Sequence, residues 1–448
     1  MKKRNIILLI IITATITIGY IWYSNFTAPT NTNQTGDSTP KFNFFPFGDS
    51  KKNTTPTVDT TTENTDTPSG EAIVENTNAL KKVSSMPIAG YGIFNKEVYK
   101  EIAPVEPVPV APVVPVKNSK TKKVVAPVAP ATELIPTLRY VDKITGNIYQ
   151  STVSNLDERK FTDTIIPQIY EAFWGNNGGN VVLRYLKNVK NIQSFIGALP
   201  KDVLGADAPI DTILKGTFLP EDITDMSISP DGNSMFYIFN TNDSAVGIVA
   251  GADGNKKTQV FNSSFTEWLS SWSNNKTITL TTKPGYNVAG YMYSVNIDKK
   301  DFRKILGGIN GLTTLTDPTN SKVIYSISKN GSLALNIYDI QTMNTISLGA
   351  RTLPEKCVWT KAGDYLYCAV PKYLDNANYP DAWYQGLISF GDEIWKIDAI
   401  NGSATKIIDP ATIAGQEIDG VKLSLSDSED YLFFMNKKDS YLWELKIK

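Results

Sequence analysis

From residue 138 onward the chain alternates short runs of Val, Ile, Tyr, Phe and Leu with polar positions, and Gly, Asn or Asp interrupts the runs every 8 to 12 residues. Alternation with period two and frequent turn residues is the pattern of half-buried strands, so this part of the chain is read as all-β. Within it one unit recurs: an apolar strand, a turn rich in Pro, Asp, Gly and Asn, then a strongly hydrophobic strand. The copies are ITDMSISPDGNSMFYIF from residue 223, FTEWLSSWSNNKTITLTT from 265, INGLTTLTDPTNSKVIYSI from 309 and LPEKCVWTKAGDYLYCAV from 353. Their starts lie 42, 44 and 44 residues apart, the length of one four-stranded propeller blade. Two further copies begin at residues 166 and 418, and no helical period interrupts the series.

A seventh inner strand is read upstream. ALKKVSSMPIAGYGIF from residue 79 repeats the junction seen in RKFTDTIIPQIYEAF from 159 and KKTQVFNSSFTEWLSSW from 256, in which a basic, β-branched strand and a short loop precede the next inner strand. Residues 80–84 are thus expected as an outer strand and 88–94 as the inner strand of blade one, which resumes at residue 137 after a Pro-rich insertion at about 98–136. The last unit has three strands of its own, starting near residues 421, 431 and 441, so 80–84 supplies the fourth and closes the ring. Closure removes the exposed edges of an open sheet. The expectation is an all-β propeller of seven four-stranded blades over 79–448; the alternative is six blades starting near residue 134, with 79–133 as linker.

The N-terminal pattern is different. Lys2, Lys3 and Arg4 precede the uncharged run IILLIIITATITIGYIWY at residues 6–23, which ends in a Tyr/Trp cluster. Such a run has membrane-spanning length at the short end, with aromatic residues at the interface and the basic cluster on the cytoplasmic side. Residues 1–26 are read as a single-pass anchor, or else a cleaved signal peptide, although the Tyr-Ile-Trp-Tyr end makes a poor cleavage site. Residues 27–78, dominated by Thr, Asn, Asp, Pro and Ser, have too little apolar pattern to offset ordering entropy and are expected as a disordered tether. As a flexible coil this tether would span roughly 40 Å. Everything after Tyr23 is expected on the extracytoplasmic side of the cell membrane.

Composition narrows the function. A formal net charge of -1 provides no basic field for a phosphate backbone, so no nucleic-acid partner is expected. The chain has no histidine, which removes Ser-His-Asp and Cys-His catalysis and His-based metal sites. Two cysteines are too few for a Cys-only metal cluster. Neither a metal nor another cofactor is expected, and the chain is read as a non-enzyme.

The Ser-Pro-Asp-Gly turn at 229–232, its relatives TKAGDYLY from 360 and SDSEDYLFF from 426, and the units DKITGNIY from 142 and DAINGSATKI from 398 resemble the WD40-like repeats of TolB-type propellers. The resemblance covers roughly residues 137–448. In that broad family the propellers are protein-binding modules of the cell envelope or substrate-gating domains of serine peptidases. No Gly-x-Ser-x-Gly elbow occurs here, which leaves the peptidase branch without support. The TolB helical N-terminal domain is replaced by the anchor and tether. The resemblance identifies an architecture, and it does not identify a ligand.

Three places carry candidate chemistry. The sixth blade has 65 residues between Leu353 and Ile418, and its extra segment, 371–392, gathers Tyr373, Tyr379, Asp381, Trp383, Tyr384 and Phe390. Aromatic side chains give large contact area at low entropy cost, so this loop is the expected binding surface, unless it folds down and buries its rings against its own blade. The insertion carries a basic tip, Lys117, Lys120, Lys122 and Lys123, between Pro-rich arms; it reads either as a probe for an anionic or groove-bearing partner or as a solvated spacer. Cys357 and Cys368 flank the Ala362-Gly363 turn symmetrically and face each other as a disulfide or as two buried thiols. Asp231, Asp317 and Asp427 are expected as turn formers, and Trp268, Trp272 and Trp359 as packing between blades. The expected function is a monomeric, non-catalytic display module for another envelope or surface protein. A cell-wall polymer or carbohydrate is the alternative ligand, and a carboxylate-based glycosidase the alternative activity.

Overall fold

The computed structural model describes residues 79–100 and 130–448, apart from 154, 189–190, 203 and 206–211. The anchor, the tether and the basic tip of the insertion therefore lie outside the described residues. Among the described residues no helix is long and apolar enough to cross a membrane.

Seven four-stranded antiparallel sheets follow one another along the chain. Six are continuous in sequence, with inner strands Ile88–Tyr99, Ile169–Gly175, Ile223–Ile228, Trp268–Asn274, Thr314–Thr316 and Cys357–Trp359 for blades one to six. The seventh joins the two ends of the described chain: Gly420–Leu425, Tyr431–Asn436 and Leu442–Lys446 pair in order, and Leu80–Lys82 adds the outer strand. Leu80 lies opposite Leu445 and Lys82 opposite Trp443. Pairing continues past the strand, because Val83 N donates to Leu442 O and Leu442 N to the Ser84 hydroxyl. The ring has seven blades, and its closure is the one that the junction motif at residue 79 leads one to expect.

Each turn in the repeat has a local cause. In Ser-Pro-Asp-Gly, Asp231 Oδ1 accepts from Asn233 N at 3.0 Å and from the Ser229 hydroxyl at 2.6 Å, and Gly232 takes the left-handed conformation, φ 70°. Asp317 does the same work in blade five, accepting from Ser321 N and Lys322 N. Asp427 departs from this pattern. It pairs with Lys361 of blade six at 2.8 Å and accepts from Asn95 of blade one, so it ties neighbouring blades instead of forming its own turn.

Apolar side chains pack between blades. Trp268 and Trp272 sit with Phe236, Ile238 and Phe261 between blades three and four, and Trp359 with Ile324 and Leu335 between five and six. Burial of such rings contributes roughly 2–3 kcal/mol each.

The blade-one hairpin is longer than its sequence pattern suggests. The ladder continues past Phe94 and Thr137 to Tyr99 opposite Thr132, so the insertion is shorter at both ends than 98–136. The extra rungs have support from outside the hairpin. Lys96 pairs with Asp202, and the Tyr99 ring lies against Gly205.

Candidate functional site

All inner strands run in the same sense, so their starts share one face of the ring with the loops that link second and third strands. This entry face carries the segment 372–391, which connects Tyr365–Pro371 to Asp392–Asp398. A short helix, Asp381–Tyr384, turns the segment back. Tyr379, Trp383 and Phe390 point inward and pack with Leu333 and Leu353. The polar bonds of the loop reach four blades. Asp381 Oδ2 accepts from Tyr286 N of blade four, Ala377 N donates to Gly331 O of blade five, Tyr384 OH donates to Glu355 of blade six, and Lys437 of blade seven donates to Trp383 O.

This corrects the sequence expectation for half of the loop. Trp383 is 4% exposed and Tyr379 and Phe390 are buried as well, because three rings in one segment reach a shared apolar pocket over Leu333 and Leu353. They anchor the loop and present no surface. Asp381 is half-buried and engaged by Tyr286. Tyr373, at 86% exposed, and Tyr384, at 42%, remain outward, joined by Leu387 at 74%. Leu387 carried no sequence signal, since a lone leucine between Gly386 and Ile388 reads as core.

Beneath the loop lies Lys356, in the short 3-10 turn Pro354–Lys356 before the inner strand of blade six. Its side chain is 0% exposed and its Nζ lies 2.8 Å from Asp392 Oδ2, 2.5 Å from Asp419 Oδ1 and 2.9 Å from Gly420 O. Burial, and then the neighbouring Asp419 charge, push the Asp392 carboxyl up to about 6, against the pull of Lys356. Asp419 is buried too, yet Lys356 and hydrogen bonds from Phe390 N and Trp383 hold it below the usual carboxylate range. Both carboxylates are 36 and 63 residues from the lysine in sequence, so no local motif announces the cluster.

The central channel carries a second set of charges. Bulges after Ile169 and Ile223 re-aim Glu171 and Asp225. Glu171 pairs with Arg184 at 2.8 Å and with Lys422 of blade seven at 3.2 Å. Asp225 accepts from Ser270 N, and burial pushes its carboxyl up to about 6. Toward the opposite, exit face the channel widens into a cavity of about 610 Å³, lined by Trp272, Leu315, Val358, Leu423 and several Ser and Thr residues. Cys357 borders this cavity and is joined to Cys368 by a disulfide. Asp427 is spent on Lys361 and Asn95, and among the described residues no group of three or more acidic or Cys side chains is placed to hold a metal ion.

No family model matches the chain, and no curated protein matches it. Solved structures do. An oligogalacturonate lyase in complex with manganese is 10% identical over 70% of this chain and 85% of its own, with a TM-score of 0.46. An oligogalacturonate lyase from Vibrio parahaemolyticus is 12% identical over 70% and 86%, TM-score 0.47. TolB from Acinetobacter baumannii is 10% identical over 70% and 77%, TM-score 0.39. The likeness is one of fold.

The buried carboxyls give the propeller a stability profile with an unusual sign. Burial pushes Asp225 and Asp392 to about 6 and Glu444 to about 7. Between roughly pH 4 and 7 the folded state therefore holds protons that the unfolded chain has released, so stability rises as pH falls through this window. Groups held low, such as Asp409 and Asp419, contribute stability above about pH 4 and lose it only below that. Urea unfolding is expected to show a higher midpoint at pH 5 than at pH 7.5. A midpoint at pH 5 equal to or below that at pH 7.5 would contradict the assignment.

Proposed function

We propose that this chain is a non-catalytic, extracytoplasmic binding module, held to the membrane through residues 6–23, that docks another envelope protein on its entry-face loop. The observation that carries this reading is the division of labour within 372–391. Three buried rings and polar bonds to four blades fix the loop, while Tyr373, Tyr384 and Leu387 face outward from it. Preorganised aromatic and aliphatic anchors bind with little ordering cost, which is the physical requirement of a protein-docking surface. The absence of histidine adds weight to a non-catalytic role, as does the occupation of the channel carboxylates: Glu171 is engaged by Arg184 and Lys422, and Asp225 by Ser270. The disulfide suits an oxidising compartment outside the cytoplasm.

Tyr373→Ala combined with Leu387→Ala is the direct test. Neither side chain is buried, so the melting temperature is expected to stay within about 2 °C, while recovery of the partner from solubilised membranes falls at least tenfold. Unchanged recovery would remove the loop from the docking surface.

Polymer binding is a second reading, favoured by a different place. A groove of about 380 Å³ between the outer parts of blades three and four is lined by the exposed rings of Phe265, Tyr291 and Phe302, over the buried Trp268, and exposed aromatic faces are where sugar rings stack. Loss of cell-wall polysaccharide retention in Phe302→Ala, with protein recovery intact, would select this reading over the first.

A further inference from the structure

The Lys356 cluster has a geometry beyond that of an ion pair. Lys356, Asp392 and Asp419 have fully buried side chains, and the rings of Trp383 and Phe390 lie 5.3 and 5.2 Å from the amine, closing the site to water. The two carboxyl groups are held differently. Asp419 turns Oδ1 to the lysine at 2.5 Å, and its Oδ2 accepts from Trp383 Nε1 at 2.9 Å, Ser389 Oγ at 3.0 Å and Phe390 N at 3.1 Å. Three fixed donors around one carboxyl oxygen form a cradle for negative charge growing on that oxygen. Asp392 turns Oδ2 to the lysine at 2.8 Å, but its Oδ1 is buried with no partner. A buried polar atom without a partner is costly and asks for an explanation.

We propose that these residues form a self-processing site, in which Lys356 Nζ condenses with Asp419 Cγ to give an intramolecular isopeptide bond and Asp392 carries the proton. Asp392 first takes a proton from the Lys356 ammonium; exchanging that ion pair for an amine and a carboxylic acid lowers the desolvation cost inside the site. The raised affinity of Asp392 for protons, caused by its burial, suits this step. As the Nζ lone pair attacks Cγ of Asp419, the proton on Asp392 passes to Oδ1, so that the one negative charge collects on Oδ2 within the three-donor cradle. A second proton then passes from Nζ, by way of Asp392, to Oδ1. The Cγ–Oδ1 bond breaks and water leaves.

An ammonium and a carboxylate have become a secondary amide and one water, Asp392 ends as the carboxylate it began as, and no oxidant or reductant is needed. Reactants fixed in contact react as if at about 10⁵ M or more, which offsets the poor reactivity of a carboxyl group in water, and exclusion of solvent protects the product from hydrolysis. The bond would join residues 63 apart, linking the turn before blade six to the start of blade seven beside the Cys357–Cys368 disulfide.

The test is peptide mapping of the full chain purified from membranes, reduced and denatured before digestion with trypsin. In the linked protein Lys356 resists cleavage, and the peptide 352–361 is recovered joined to 407–422 at their summed mass less one water. Lys356→Met and a folded Asp392→Asn chain are expected to be unlinked, whereas Asp392→Glu, which keeps a proton carrier, is expected to be linked. Recovery of 407–422 alone at full mass from the wild-type chain, with cleavage after Lys356, would overturn the proposal. A link from Lys356 to the peptide carrying Asp392, or a linked Asp392→Asn chain, would overturn the assignment of roles.

Discussion

Replacing Lys356 by methionine is expected to lower the unfolding free energy by about 3–5 kcal/mol at pH 7.5, the scale for breaking a buried ion pair from one side. Methionine fills nearly the same volume, so the loss comes from the broken Lys356 connection, ionic or, once condensed, covalent, and not from packing. Asp392 and Asp419 are left facing each other without a cation, and Gly420 O loses its donor. The same change should release the entry-face loop, because Asp419 also holds Trp383, Ser389 and Phe390. Amide exchange over 372–391 is expected to quicken well before the strands of blades one to four are affected. The deficit should shrink on acidification. Asp392 is pushed up to about 6 in the native chain, and without Lys356 it takes its proton more readily still, so at pH 5 only one uncompensated charge remains. A methionine variant within 1 kcal/mol of wild type at pH 7.5 would refute this role for the Lys356 cluster.

The second large effect concerns ring closure. A chain beginning at residue 88 lacks Leu80–Lys82 and leaves Leu442–Lys446 as a bare edge. It also loses Leu80 from the cluster with Trp443 and Leu445, and Val83 from the cluster with Ile88 and Leu442. Two buried aliphatic side chains account for roughly 3–6 kcal/mol, and the strand's hydrogen bonds add to this, in a protein whose whole stability is about 5–15 kcal/mol. Compared with a chain beginning at residue 79, the shorter one is expected to melt roughly 4–8 °C lower and to associate through its open edge. Equal melting of the two chains would contradict closure by this strand.

Much of this architecture was legible because its determinants are local. The turn at Ser229 to Gly232 needs only four residues to specify itself, and the basic segment that precedes the inner strands at residues 169 and 268 marks a blade junction also at residue 79, far from the other repeats. The position of the aromatic loop was legible from its excess length. Its orientation was not: whether Trp383 faces water or core depends on Asp419 and Leu333, which lie in other blades, and on Leu353, distant in sequence, and these leave no mark on the loop's own pattern. Lys356 was hidden for the same reason, since a lysine in PEKCVW reads as a surface residue until Asp392 and Asp419 are brought beside it. Asp427 looked like a turn former because Ser-Asp-Ser-Glu-Asp imitates the local motif, whereas its partners Lys361 and Asn95 belong to neighbouring blades.

The central claim is that the entry-face loop is where a partner sits, and site-specific photo-crosslinking in intact cells tests it most directly. A photoreactive side chain at position 373 replaces an exposed tyrosine on the loop, and one at position 343 replaces Met343, which is also well exposed, on the exit face of blade five. The account predicts a discrete cross-linked product from 373 and none from 343. A product from 343 alone would contradict it.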